Sequence, residues 1–451
     1  MFPTAFQSQI QQLLTTEADA FFQSLDTDSP TSIRFNPSKN YSGKLEGHKI
    51  PWTDNGIYLK ERPSFTLDPD FHSGAYYVQE ASSMVLEQIL KQSVNLKEDL
   101  LALDLCAAPG GKSTHIQSLL SSGSLLVSNE VIKSRANILA ENLTKWGLPN
   151  KVITNNDPSH FDRLNVQFDL IVVDAPCSGE GLFRRDPEAM KEWSPEAMKL
   201  CATRQQRILA DIWPSLKPGG VLIYSTCTYN SLENEENIQW LNEQLDAKGI
   251  SLELENSWGF SKTQTSGIDG FHAYPHKVKG EGFFITAVTK TEGRAKKLRK
   301  SKKPINFAPR QEIENISPWL KNPEFFDFIK HNDLFIAMPE HWKDVIHEIN
   351  SNLYIVAEGI EMGRLKGKKL IPHEALAFST ELNHSQVSTF ELELDEALNY
   401  LRKESFDFDS MENGWNLITH KGLGLGWANR IQQRVNNYYP TNWRVRISSN
   451  F

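Results

Sequence analysis

Between residues 76 and 290 the chain repeats one pattern that leaves few folds open. Short apolar segments, "LLALDLCA", "SLLVSNEV", "KVITNN", "FDLIVVDA", "GGVLIYSTC" and "EGFFITAVT", are separated by amphipathic stretches such as "KSTHIQSLLSS", "SRANILAENLTKWG" and "CATRQQRILADIWPSL". Strands joined through helices cannot pair as simple hairpins, because each helix carries the chain back across the sheet. The pattern therefore predicts an α/β domain with a parallel, doubly wound sheet. Residues 1–75 read as a small α+β region: a helical stretch, "FQSQIQQLLTTEADAFFQSL", precedes Pro-rich, strand-like pieces such as "HKIPWTDNGIYL". Residues 291–303 form a basic linker, and residues 304–451 form a third region, rich in short strands and turns, with no internal repeat.

With 451 residues, 39% of them hydrophobic and 23% charged, the chain has ample material for several cores. No stretch approaches the ~18 apolar residues of a membrane span, and the amino end lacks a basic start and a long apolar run, so a cytoplasmic location is expected. The four cysteines, Cys106, Cys177, Cys201 and Cys227, form no CxxC pair. Reduced thiols are expected, with neither disulfide framework nor metal site. The net charge of −8 argues weakly against a nucleic-acid partner, but in "GRAKKLRKSKK", residues 293–303, seven of eleven residues are Lys or Arg. Such a run is either a solvated linker or a strip that contacts phosphates through residues such as Lys296, Lys297, Lys300 and Lys303.

In "ALDLCAAPGGKSTHI" a loop of small residues, Cys106, Ala107, Ala108, Pro109, Gly110 and Gly111, joins the first apolar segment to a helix that begins near Lys112. Ligands of open α/β sheets bind beyond the carboxyl ends of the strands, and small residues there let the backbone approach closely. Glu130, at the end of the second segment and 20 residues beyond Gly110, suits a ribose diol. The loop matches neither the GxGxxG dinucleotide fingerprint nor the GxxxxGK[ST] phosphate loop. A nucleoside without a pyrophosphate fits better, and S-adenosylmethionine is the obvious one. Asp157, in "TNNDPSHF", is then a candidate partner of the adenine amino group, or simply a turn residue before Pro158. Lys112 and the loop are expected to meet the methionine carboxylate.

Asp174 and Cys177 leave the fourth segment in "LIVVDAPCSGEGLF", and Cys227 leaves the fifth in "YSTCTYNSLENEEN". One thiol at a strand end is explained by small apolar size. Two thiols and an aspartate at neighbouring strand ends suit covalent chemistry beside a methyl donor. Carbon 5 of a pyrimidine is a poor nucleophile until a thiolate adds to carbon 6, and an acid near N3 promotes that addition.

These residues lie in segments that resemble the signature motifs of RNA cytosine-C5 methyltransferases: "LDLCAAPGGKSTH", "VVDAPCSGEGLFRRDPE" and "YSTCTYNSLENEENI". "SIRFNP", "YYVQEASSMV" and "YPHKVKGEGFF" are similar to that family's flanking motifs, in the same order, over roughly residues 30–290. The later "GRLKGKKLIPHEALA" and "KGLGLGWANRIQQRVNNYYP" resemble the tail of the bacterial RsmF-like subgroup, which modifies small-subunit ribosomal RNA. The resemblance implies a Rossmann-like S-adenosylmethionine methyltransferase domain, a ferredoxin-like amino-terminal substrate domain and a carboxy-terminal α+β RNA-recognition module of the PUA kind. It implies that the Cys106–Lys112 loop, Glu130, Asp157 and Asp174 contact the cofactor and that Cys227 is the nucleophile. Cys177 is then kept for release, whereas DNA cytosine-C5 enzymes attack with the cysteine of the Pro-Cys pair.

The implied partner is structured RNA, 16S rRNA or the small subunit, met by a monomer, with no membrane and no metal. The alternatives are the same chemistry on transfer RNA or 23S rRNA, and a non-catalytic RNA-binding assembly factor. Cys106 and Cys201 are read as packing residues. His272 and His276 are read as surface or RNA-facing polar groups rather than metal ligands, with Lys277 and Lys279 beside them as phosphate contacts. His373 has no assigned role.

Overall fold

A computed structural model describes residues 2–43, 45–298 and 304–447. Strands β1 (Ser32–Phe35), β2 (Gly47–Lys49), β3 (Gly56–Leu59) and β4 (Tyr76–Val78) form a small antiparallel sheet in the order β2-β3-β1-β4. That is the strand order of a ferredoxin-like sheet, although among the described residues its first crossover carries no helix and its second only the short helical turns Phe65–Leu67 and Pro69–His72. The sheet runs past the expected limit at residue 75, because β4 must pair with β1 to complete it. The helical stretch before it is two helices, Thr4–Leu14 and Ala18–Leu25, broken at Thr15, whose φ is +47°. Their common stripe of Phe6, Ile10, Leu14, Ala18, Phe21 and Leu25 is buried against Phe183, Trp193, Tyr229 and Tyr274 of the next domain.

The central sheet contains β5 (Leu101–Asp104), β6 (Leu125–Asn129), β7 (Lys151–Thr154), β8 (Phe168–Asp174) and β9 (Leu216–Thr226), then β10 (Ala247–Gly249), β11 (Ser261–Thr265), β12 (Ile268–Ala273) and β13 (Phe283–Lys290). Within the order β11-β12-β13-β9-β8-β5-β6-β7, strands β5 to β9 run parallel and β13 closes antiparallel on β9. The central strands are buried on both faces, as continuous apolar runs predict for a sheet covered by helices. Strand order reverses between β5 and β8, so a crevice opens at their carboxyl ends.

After the linker come β14 (Phe326–His331), β15 (Leu334–Pro339), β16 (Ile355–Glu358), β17 (Ile360–Lys366) and β18 (Lys369–Pro372), then β19 (Ser388–Glu391), β20 (Gly414–His420), β21 (Leu423–Ile431) and β22 (Arg434–Asn437). They form two four-stranded sheets, β14-β15-β17-β18 and β19-β20-β21-β22, but β16 instead pairs antiparallel with β7. The described part of the third region, residues 304–447, therefore is not a wholly separate module as the sequence suggests, since β16 joins the central sheet. An exposed β7 edge would leave a row of N–H and C=O groups unpaired; β16 covers it, and Ile346, Ile349 and Leu353 join the core of the central domain. No helix among the described residues is long and apolar enough to cross a membrane.

Candidate active site

The loop after β5 is held from outside. Arg135 donates to the Ala108 carbonyl at 2.7 Å, Asn142 to the Pro109 carbonyl at 2.8 Å, and the Ala107 N–H to the Asn129 carbonyl at 2.8 Å. Gly110 has φ +117° and starts the helix Gly111–Leu119, a backbone state that other residues rarely adopt. From the other side Arg34 of β1, fully buried, reaches the Thr114 hydroxyl at 2.6 Å and so ties the small sheet to this helix.

Two buried carboxylates line the floor. Glu130 is 3% exposed; one oxygen accepts from the Ile132 N–H at 2.9 Å and the other lies 3.5 Å from Arg135. Asp104 is fully buried, accepts from the Ser113 hydroxyl at 2.6 Å, and has a second oxygen without a partner among the described residues. Burial, opposed by the Ser113 hydrogen bond and reinforced by Asp174 and Glu130, raises its pKa to about 7. The one Asp104 oxygen that lacks a donor, beside the Glu130 carboxylate, fits a ligand bringing an ammonium and hydroxyls, which S-adenosylmethionine does. Asp157 lies farther out. It caps the turn Pro158–Arg163 by accepting from the Ser159 N–H at 3.1 Å, with Arg207 3.7 Å away.

Because its folded pKa lies above the ordinary 3.8, Asp104 lowers the stability of the ligand-free protein as pH rises from about 4 through 7. Asp104→Asn is expected to raise the denaturant midpoint at pH 8 and leave it unchanged near pH 4. Equal midpoints at both pH values would mean that the carboxyl ionises freely.

At the ends of β8 and β9 the two thiols meet. Cys177 Sγ lies 3.0 Å from Cys227 Sγ and accepts the Cys227 backbone N–H at 3.3 Å. The Cys227 contact and burial push the Cys177 thiol well up, so at neutral pH it is protonated and a poor nucleophile. Asp174 accepts from the Ser225 hydroxyl at 2.8 Å and from Lys112 at 2.7 Å. Lys112 is thus bound to Asp174 rather than being free for a carboxylate of the ligand, and its charge lies within electrostatic reach of Cys227. Gly181 lets the two loops touch: its N–H donates to the Cys227 carbonyl at 2.9 Å, and a Cβ there would sit 2.9 Å from that oxygen and 2.5 Å from the Gly282 carbonyl.

Other expectations fare differently. Cys106 packs at the edge of the central core, and Cys201 lies on the helix Pro195–Ile212, within electrostatic reach of Glu233 and Cys227. His272 is not a surface group: it is 3% exposed, bonded to Glu235 at 2.6 Å and stacked on Tyr274, because β12 lies inside the sheet. His276 is also largely buried, against Phe21 and 3.6 Å from Glu17. Lys277 is bound by Glu17 at 2.6 Å, and Lys279 lies over the Tyr58 ring. His373 caps the short helix Glu374–Phe378. Lys296 donates to Asp162 at 3.0 Å and to two backbone carbonyls, which fastens that part of the basic run to the central domain. Lys300 and Lys303 lie outside the described residues. Among the described residues no group of three His, Cys, Asp or Glu side chains is arranged to hold a metal ion.

The sequence reading missed Asp104 and two other acids. Glu180 accepts from the Thr228 hydroxyl at 2.6 Å, the Tyr229 and Asn230 N–H groups at 2.9 and 3.1 Å, Trp193 at 3.1 Å and Gln9 at 2.9 Å. Glu233 accepts from the Ser178 N–H at 3.0 Å, Gln205 at 2.7 Å and Asn230 at 2.8 Å. Both are fully buried. Their only signal in the sequence is an acid inside each thiol motif, which reads equally well as a solvated charge.

Comparison with known proteins gives a consistent assignment. Residues 91–289 match the family model described as 16S rRNA methyltransferase RsmB/F, residues 2–81 the N-terminal domain of 16S rRNA methyltransferase RsmF, and residues 387–445 the methyltransferase RsmF PUA domain. The ribosomal RNA small subunit methyltransferase F of Escherichia coli O127:H6 is 31% identical over 97% of this chain and 96% of its own. That of Aliivibrio fischeri MJ11 is 30% identical with the same coverage. A methyltransferase homologue from Pyrococcus horikoshii superposes with a TM-score of 0.55 at 28% identity, covering 64% of this chain and 95% of its own. NSun6 from Pyrococcus horikoshii, solved with the S-adenosylmethionine analogue SFG, gives a TM-score of 0.55 at 22% identity over 65% and 99% of the two chains, a likeness of fold.

Proposed function

The chain belongs to the family of ribosomal RNA small subunit methyltransferase F, and on that premise we propose that it methylates carbon 5 of a cytosine in 16S ribosomal RNA through a covalent adduct at Cys227. S-Adenosylmethionine is the cofactor and supplies the methyl group. On this reading Glu130 holds its ribose hydroxyls, Asp104 and the Cys106–Gly111 loop its amino-acid end, and Asp157 its adenine edge.

The observation that carries the proposal is the thiol pair, 3.0 Å apart, beside the Asp174–Lys112 ion pair at the crevice. Cys227 adds to carbon 6 as a thiolate while its proton passes through the Asp174 carboxylate to N3 of the base, and Lys112 offsets negative charge in the same corner. The bond to carbon 6 turns carbon 5 into an enamine carbon able to accept the methyl group. Carbon 5 must then lose its proton before the Cys227 sulfur can leave. Once Cys227 is bonded to the base, its contact no longer raises the Cys177 thiol; Cys177 gives its own proton to water, and the resulting thiolate takes the proton from carbon 5. The target base must leave its stack to reach the crevice, so an RNA loop or bulge is the substrate.

Bisulfite sequencing of 16S, 23S and transfer RNA after incubation with the enzyme and cofactor tests the proposal. A single protected cytosine in 16S rRNA is expected. Methyl incorporation without a protected cytosine would refute the carbon 5 assignment, and protection in transfer RNA or 23S rRNA would move the target. A carboxylate hydrogen bond contributes ~1.5–3 kcal/mol, so Glu130→Ala is expected to weaken cofactor affinity roughly 10- to 100-fold. Calorimetry showing unchanged affinity would remove Glu130 from the site.

A further inference from the structure

Two fully buried carboxylates beside the thiols take no part in the chemistry above, and their hydrogen bonds cross. Glu180 lies three residues after Cys177, yet it binds the loop that follows Cys227, through the Thr228 hydroxyl and the Tyr229 and Asn230 N–H groups. Glu233 lies six residues after Cys227, yet it binds the loop that follows Cys177, through the Ser178 N–H at 3.0 Å. Each thiol loop is therefore fastened by an acid from the other, while Glu233 also accepts from Asn230 of its own loop at 2.8 Å. A buried carboxylate is costly unless its oxygens are well supplied with donors, so neither side chain moves without its loop.

We propose that Glu180 and Glu233 are positioning residues with separate assignments: Glu180 holds the nucleophile Cys227, and Glu233 holds Cys177 for release. The inference rests on the roles proposed above for the two thiols. Gln205 supports the second assignment, since its amide donates both to Glu233 at 2.7 Å and to the carbonyl of Pro176, the residue before Cys177, at 3.1 Å. Neither acid lies in the cofactor loop or on the floor of the crevice. Their effects are thus expected in the chemical steps and not in binding.

The two acids should fail in opposite ways. A misplacement of about 1 Å costs on the order of 10²-fold in rate. Glu233→Ala is expected to form the RNA adduct at the normal rate and release it slowly, accumulating a band that survives a denaturing gel. Glu180→Ala is expected to form the adduct about 10²-fold more slowly, with no such band. Dissociation constants for RNA, measured before adduct formation, and for cofactor should stay near wild type in both, whereas KM for RNA should fall with kcat in Glu233→Ala alone. Glu180→Gln and Glu233→Gln keep an oxygen toward the loop N–H groups and are expected to recover most of the activity. If the Gln variants are as inactive as the Ala variants, the acids transfer protons and the positioning role is overturned. The milder Thr228→Val and Gln205→Met serve if an alanine variant does not fold, since each removes one donor to an acid; weaker effects in the same two directions are expected. Equal adduct levels in the two members of either pair would overturn the separate assignments. Cys177→Ala, run alongside, separates the two levels: if it traps RNA and Glu233→Ala does not, the clamp is wrong and the thiol roles stand. If Cys177→Ala itself fails to trap, the thiol roles fall first.

Discussion

Cys177→Ala is expected to yield an enzyme that attacks RNA, transfers the methyl group and cannot let go. Removing that sulfur leaves Asp174 and Lys112 in place, because the Asp174 contacts run to Ser225 and Lys112, and Cys227, though it loses its contacts to Cys177, keeps the Gly181 N–H on its carbonyl at 2.9 Å. The addition at carbon 6 should therefore proceed. The following step lacks a group 3.0 Å from the attacking sulfur to receive the carbon 5 proton. The result is a protein–RNA complex stable to denaturant, visible as a shifted band and lost on ribonuclease digestion. Purified protein is expected to carry bound RNA for the same reason. Normal turnover by this variant would return Cys177 to the status of a small packing residue, and a trap at Cys227→Ala in its place would exchange the two roles.

The largest loss of rate is expected for Cys227→Ala. Removing a covalent nucleophile from a protease costs ~10⁶ in kcat, so methylation should fall below detection. The fold should survive, since the change removes a single sulfur atom at a half-buried position and keeps the backbone N–H that donates to Cys177. Cofactor affinity should match wild type by calorimetry, because the groups assigned to the cofactor lie at the ends of β5, β6 and β7 and in their loops. The double variant Cys177→Ala/Cys227→Ala should show no trapped band, since the trap requires a prior attack. Residual methylation within tenfold of wild type in Cys227→Ala would exclude an obligatory adduct at this sulfur.

The alternation of strands and helices was legible because burial on both faces demands unbroken apolar strands, and a parallel sheet demands helical crossovers. All six apolar segments read from the sequence are strands of the central sheet: β5, β6, β7, β8, β9 and β13. Less legible was the region beyond residue 304. β16 is an ordinary short strand by its residues, and nothing local says that it joins the β7 edge rather than its neighbours β15 and β17. His272 misled for a related reason. A histidine in a stretch that also carries lysines reads as solvent-facing, whereas β12 is enclosed by β11 and β13 and the helix Glu235–Leu245 supplies Glu235 as its partner.

The sequence by itself determined the sheet, the glycine loop at the end of its first strand, and the presence of an acid and two thiols at the ends of the fourth and fifth. Those features are local: each depends on residues within about one strand and its turn. Only the tertiary structure decided that the sulfurs touch, that Lys112 is bound to Asp174, and that Glu180 and Glu233 exchange loops. Those facts depend on how β8 and β9 align side by side and on which donors reach a buried oxygen, and residues about 50 positions apart carry no mark of it in their order along the chain. A carboxylate written into a motif looks the same whether water or five hydrogen bonds surround it; burial is what separates the two, and burial belongs to the folded chain.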